Sequence, residues 1–219
     1  MVSTWGLAAS KWLIGLSAAA TLAAPAAAAV VIDQPINQAG IQVLAFSPVG
    51  QSFTAVTDSL NSIGVSLQNF NVANPVWIAD RTVTLRLFDQ ADLTGNTLGQ
   101  GTVDVAAILG DADGVTGMID FGFGSVTLAV GQSYSFQVVA DTARWGIRTS
   151  YITNAYAGGR AYYTAPFPGY EADSANSDLR FRVSAVPEPE AAWMLLAGLL
   201  LLAGCGAISG RRSAVGPRP

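Results

Sequence analysis

Thr82-Val83-Thr84-Leu85-Arg86-Leu87-Phe88 is the stretch whose reading decides the fold. Val83, Leu85 and Leu87 alternate with Thr84, Arg86 and Phe88, an apolar period of two. Successive side chains of a strand point to opposite faces, so the pattern predicts one inward and one outward face. The alternation recurs on both sides of this stretch. Ile63, Val65 and Leu67 alternate with Gly64 and Ser66, and Tyr134, Phe136 and Val138 with Ser135 and Gln137. Leu179, Phe181 and Val183 alternate with Arg180 and Arg182. Turn residues punctuate these runs: Asn74-Pro75, Thr94-Gly95-Asn96, Asp113-Gly114, Gly131-Gln132, Gly158-Gly159 and Pro166 to Gly169. Many short strands with regular turns predict an all-β domain, an antiparallel β-sandwich or jelly roll. Helix is expected only as a turn near Val105 to Leu109.

The two ends of the chain are of different composition. Hydrophobic residues make up 51% of the chain, with mean hydropathy +0.39, values that would suit an integral membrane protein. Both ends inflate them. Met1 to Ala29 reads as a secretory signal peptide, with Lys11 as the basic residue and Trp12 to Ala24 as the apolar segment. Ala27-Ala28-Ala29 supplies the small-x-small cleavage pattern, so the cut is expected after Ala29, with Ala28 as the alternative. At the other end, Ala191 to Ile208 contains no charged residue. Its length suits a transmembrane helix, which needs roughly 17–25 residues. Trp193 lies near one edge of this run, and Arg211 and Arg212 lie just past the other. Arginines beside a span stay cytoplasmic, so residues 213–219 are expected to be a short cytoplasmic tail. A helix buried in a soluble domain fits the four consecutive leucines and basic stop less well. Pro187 and Pro189 favour an extended peptide immediately before the span.

Between the ends, residues 30–185 are expected to form one soluble domain. It holds seven arginines against thirteen carboxylates, net −6, which argues against nucleic acid as a partner. Cys205, the only cysteine, lies in the apolar run, so the domain has no disulfide. Leu202-Ala203-Gly204-Cys205 matches a lipidation signal, but at the wrong end of the chain, and packing is the expected role.

The ordered set Val186-Pro187-Glu188-Pro189, apolar span, Arg211-Arg212 resembles the PEP-CTERM sorting signal of Gram-negative bacteria over residues 186–212. The resemblance implies a precursor held transiently in the inner membrane. An exosortase-type membrane enzyme would process it at Pro187, Glu188 and Pro189. The product would reach the cell surface or extracellular matrix, with exopolysaccharide or biofilm as its setting. A second resemblance covers most of residues 45–184. Gly50-Gln51-Ser52-Phe53-Thr54-Ala55, Val130-Gly131-Gln132-Ser133-Tyr134-Ser135-Phe136, Tyr156-Ala157-Gly158-Gly159 and Asp178-Leu179-Arg180-Phe181-Arg182 look like the choice-of-anchor type of bacterial surface β-sandwich. That group implies a fold and offers no catalytic residues to carry over.

Chemistry is sparse. The chain has no histidine, which removes the usual serine and cysteine triads. Without cysteine in the domain, a zinc site would have carboxylates alone, so no metal or other cofactor is expected. No Walker or dinucleotide glycine loop occurs. Two carboxylates at a suitable separation could hydrolyse a glycosidic bond, a reading that thirteen acids make unspecific. Asp111-Ala112-Asp113-Gly114 resembles the start of a calcium loop but lacks the later ligands, and is read as an Asp-Gly turn. Glu171, Asp173 and Asp178 are read as solvated loop carboxylates.

The segment from Arg144 to Tyr170 is rich in aromatics and arginines. Trp145, Arg148, Tyr156, Arg160 and Tyr163 are the candidate glycan contacts, weighed against burial of the rings in the core. Adjacent Tyr162 and Tyr163 should point to opposite faces if they lie in a strand. The leading expectation is a surface or matrix protein without catalytic activity. A carbohydrate-binding module is second, and a carboxylate-dependent glycoside hydrolase third.

Overall fold

The computed structural model describes residues 28–70, 73–150, 153–164 and 176–185. Four strands come first: β1 (Ala29–Gln34), β2 (Ala39–Gln42), β3 (Val49–Thr54) and β4 (Ser59–Asn69). Helix α1 (Pro75–Ile78) leads into β5 (Thr82–Phe88) and β6 (Thr97–Asp104), and helix α2 (Val105–Leu109) into β7 (Thr116–Thr127). The last strands are β8 (Ser133–Val139), β9 (Trp145–Thr149), β10 (Ala161–Tyr162) and β11 (Phe181–Ala185).

These strands form two antiparallel sheets. The first runs β1-β11-β4-β9-β2, with β7 also paired to β4. The long strand β4 is its spine. Strand β7 pairs with residues 59–68 on one edge, while β11 takes 62–65 and β9 takes 67–69 on the other. The second sheet runs β10-β3-β8-β5-β6. The alternation read from sequence places the core. Ile63, Val65 and Leu67 of β4 are buried, as are Val83, Leu85 and Leu87 of β5 and Tyr134, Phe136 and Val138 of β8. One hydrophobic cluster joins both sheets, and Phe136 of the second sheet meets Phe181 of the first at 5.6 Å between ring centroids. Each such side chain stabilises the fold by roughly 1.5–3 kcal/mol on burial. The domain is therefore an all-β sandwich.

The helices are a turn or so long. The expected turn at 105–109 is α2; the Asp104 carboxylate accepts from the Ala107 amide at 2.9 Å to cap it. Asn74-Pro75, expected as a plain turn, instead starts α1. The Asn74 side chain accepts from the Val76 amide and Pro75 fills the first turn, where its missing N–H costs nothing.

The two ends of the domain meet. Strand β1 pairs antiparallel with β11, Ala29 opposite Ala185, so the chain enters and leaves side by side at the rim of the first sheet. Among the described residues, no helix is long and apolar enough to cross a membrane. The expected span 191–208 lies outside them, as do Ala27, Pro187, Glu188, Pro189, Arg211 and Arg212.

Candidate functional site

The aromatic and arginine-rich segment splits between the two sheets. Trp145 opens β9 and is fully buried. Its ring presents no face to a ligand, which corrects the expectation of a glycan contact there. The Arg144 guanidinium covers it instead, 4.4 Å from the ring centroid. Arg144 is itself fully buried. Its Nε donates to Asn69 Oδ1, Nη1 to the Ile78 and Asp80 carbonyls, and Nη2 to the Gly110 carbonyl and Asp111 Oδ1. All five guanidinium protons are thus placed. Asp111 is committed to this ion pair, and Gly114 takes the positive φ of 76° that the Asp113-Gly114 turn requires. Among the described residues, no three metal-ligating side chains converge. Arg148 alternates outward on the first sheet and donates to Asn37 and Gln68.

The other candidates lie beside β3 of the second sheet, with Tyr156 reaching across to the first. The half-buried Tyr156 packs edge-on to Phe181, at 5.3 Å between centroids, and its hydroxyl accepts from the Thr54 amide. Burial pushes this phenol above its ordinary value, and the nearby Asp178 charge adds to the shift. Tyr163 packs against the core and edge-on to Phe46, and its hydroxyl bonds Ser177. Arg160 is exposed, with its guanidinium 4.8 Å from the centroid of the Tyr162 ring.

Tyr162 lines a small open cavity of about 300 Å³. Its other lining residues are Tyr163 and Thr164, the loop residues Asp92, Leu93 and Thr94, and Pro48 and Gln137. The fold builds it from the loop between β5 and β6, which turns back over the outer face of the second sheet. Ser135 Oγ pins that loop by accepting from the Leu93 amide and donating to the Gln90 carbonyl. Leu93 has a φ of 66°, a left-handed conformation that a branched residue adopts only under constraint. The constraint is visible below it: a Cβ at Gly50 would lie 2.8 Å from Leu93 Cδ2, so Gly50 leaves the room that Leu93 fills. Hydrogen bonds from the Thr94 hydroxyl and amide hold the Asp92 carboxyl below its usual value, so it is anionic at neutral pH.

The structure therefore brings Arg160 and Tyr163 together around Tyr162, and sends Trp145 and Arg148 to the opposite sheet. Two features escaped the sequence reading. Leu93 and Gln137 carry no motif. Asp178, read as a solvated loop carboxylate, is fully buried. It accepts from the Ala155 and Tyr156 amides at 2.7 and 2.8 Å and from Gln51 Nε2 at 2.8 Å. Burial of that carboxylate follows from three donors converging on it, two of them from a single loop turn. Glu171 and Asp173 lie outside the described residues. Ala29, the expected cleavage residue, is exposed at the start of β1.

No family model matches the chain. No curated protein matches it either.

Proposed function

We propose that this chain is the precursor of an exported, non-catalytic surface or extracellular-matrix protein, processed at its C-terminal tail by an exosortase-type membrane enzyme. The observation that carries the reading is the order of three segments. A cleavable leader, residues 1–29, precedes one domain. The domain is followed by Val186-Pro187-Glu188-Pro189, an uncharged apolar run over 191–208 and Arg211-Arg212. The fold is compatible with that order in one specific way. Strands β1 and β11 finish the sandwich at Ala29 and Ala185, so the whole leader and the whole tail can be removed without taking an inward-facing strand residue. The domain's excess of carboxylates suits a hydrated, polyanion-free or cation-bridged setting better than nucleic acid. Intact-mass measurement on native material tests the proposal. The mature chain should begin at Ala29 or Val30 and end near Pro187 to Pro189. A chain still carrying Arg211 and Arg212 in its final location would overturn it.

A second reading, glycan binding, is favoured by the Tyr162 cavity. A ring flanked by a guanidinium, an anionic carboxylate, two threonines and a glutamine offers both stacking area and hydrogen bonds to hydroxyls. Affinity electrophoresis in soluble polysaccharides, with Tyr162→Ala beside the parent, tests it. Retardation that is lost in the variant supports a site here; equal mobility in every polysaccharide removes it.

A further inference from the structure

The end of the sandwich where the chain enters and leaves includes three stretches of few charges, beside the 156–158 turn held to Thr54 and the start of the β5–β6 loop at Asp89. Residues 28–30 start β1, residues 55–58 cross from β3 to β4, and residues 128–132 cross from β7 to β8. The two crossings are tied together. Ala55 exchanges backbone hydrogen bonds with Gly131 and Gln132, and the Leu128 amide donates to the Asp58 carbonyl. Val56 and Val130 therefore sit on adjacent turns, 54% and 65% exposed, and Val30 is 51% exposed on β1. Across all three stretches Asp58 is the single charged residue. The opposite end is different. It carries Asp80, Arg81, Asp104, Asp111, Asp113 and Asp141 around α1 and α2. Val76 and Ile108 are exposed there too, but among those charges. Asp89 and Asp92 belong to the β5–β6 loop, which folds back over the outer face of the second sheet with Leu93 against Gly50.

We propose that the uncharged end seats on the lipid surface while the tail is attached, with Val56 and Val130 entering the headgroup layer. The proposal rests on the anchor reading of residues 191–208. Only residues 186–190 separate Ala185 from that apolar run. Fully extended, so short a connection reaches at most about 20 Å, so the end bearing Ala185 cannot stand far from the bilayer. Exposed apolar side chains gain from leaving water there, and few charges resist the approach. The charge distribution favours the same orientation. The domain is net negative, and an anionic leaflet would repel it. Strand β4 has eleven residues, so the acidic end lies about 35 Å away, several Debye lengths at physiological salt. Repulsion at the contact is thereby confined to Asp58 and the two carboxylates of the connection, Glu188 and Glu190. Release of the tail would remove the tether, and three valines alone would not hold the domain on the membrane.

The test uses the full chain with Cys205→Ser, carrying one new cysteine at a time: Val56→Cys, Val130→Cys, Val76→Cys or Ile108→Cys. Each is labelled with an environment-sensitive dye and reconstituted into phosphatidylethanolamine–phosphatidylglycerol vesicles containing nitroxide-labelled acyl chains. All four positions are exposed, and unchanged circular dichroism verifies the fold. The expected result is a blue shift and quenching at 56 and 130, with neither at 76 and 108. If the chain floats with the vesicles yet all four dyes behave alike, the seating is wrong and the anchor stands. If the chain does not float with the vesicles, the anchor reading falls and the seating with it. Shielding of 56 and 130 only in native membranes that contain the processing enzyme would assign the surface to that protein and overturn lipid seating.

Discussion

Among the described residues two charged side chains, Arg144 and Asp178, are fully buried, and each is stabilised by being completely hydrogen-bonded. Arg144 donates to the last carbonyl of α1, to the capping carbonyl of α2 and to Asn69 Oδ1, and so fastens both short helices to the end of β4. A cation at helix C-termini also gains from their dipoles. Asp178 does the reverse task, fastening the 155–156 turn to β3 through Gln51. Asp178→Ala leaves the Gln51 amide and the Tyr156 N–H without their acceptor. It should destabilise the domain by about 1–3 kcal/mol, the usual loss when a buried neutral donor is left unsatisfied. Asp33→Ala removes one side of a half-exposed pair with Arg180 and should cost about 0–1 kcal/mol. Urea denaturation of both variants checks the contrast; equal midpoints would mean that Asp178 does not hold the turn. Tyr156 adds a pH signature. Its phenol is raised above 10.0 in the folded chain by burial. A raised folded value means that its contribution is intact below the unfolded value and is lost as pH rises through the folded one. Stability should therefore fall above about pH 10, and less steeply in Tyr156→Phe. Thermal melts from pH 8 to 11 measure it.

At the scale of elements, the strands were legible and the buried polar groups were not. Alternation is a local property of four to eight residues, and β4, β5, β8 and β11 each bury the face it named. The helix α1 has its own local signal, Asn74 capping and Pro75 in the first turn, but the same pair also marks a plain turn, and four residues are too few to separate the two. Trp145 was not readable. Whether a strand ring faces the core depends on register, and Trp145 pairs with Asn69, seventy-six residues earlier. Arg144 and Asp178 fail for the same reason: their partners come from distant segments. Glycines had to be read from the structure as well. At Gly50 a Cβ would lie 2.2 Å from the Phe136 carbonyl oxygen of the adjacent strand, which is backbone and cannot step aside. Gly50→Ala should spread β3 from β8, lift Leu93 from its seat and destabilise by about 3 kcal/mol, the upper range for overpacking. Gly122, with open space around its Cβ direction, should accept alanine with no loss. Calorimetric melting temperatures of the two variants separate close packing from simple strand propensity.

For the whole molecule, the informative relation is between the rim of the sandwich and the sequence on either side of it. Strands β1 and β11 close one edge, and the segments read as leader and anchor continue directly from their ends. Among the described residues one apolar cluster joins both sheets, and residues 30–185 contain no cysteine. Substitutions in the run 191–208 leave every residue of that cluster unchanged. Replacing Leu199 and Leu200 with Asp places two carboxylates near the middle of the run 191–208. Each charged residue at a helix centre costs about 2.5–3.5 kcal/mol on insertion scales. A span of this length has little room to slide the charges to an interface. The variant should still be exported, because residues 1–29 are unchanged, and should then leave the membrane unprocessed. It is expected as a soluble periplasmic form whose mass retains the C-terminal tail, with a melting temperature equal to that of the parent domain. If it fractionates and is trimmed like the parent, the apolar run does not anchor the chain. Both the sorting proposal and the seating of Val56 and Val130 on lipid would then lose their physical basis, while the sandwich, held by its own core, would stand unchanged.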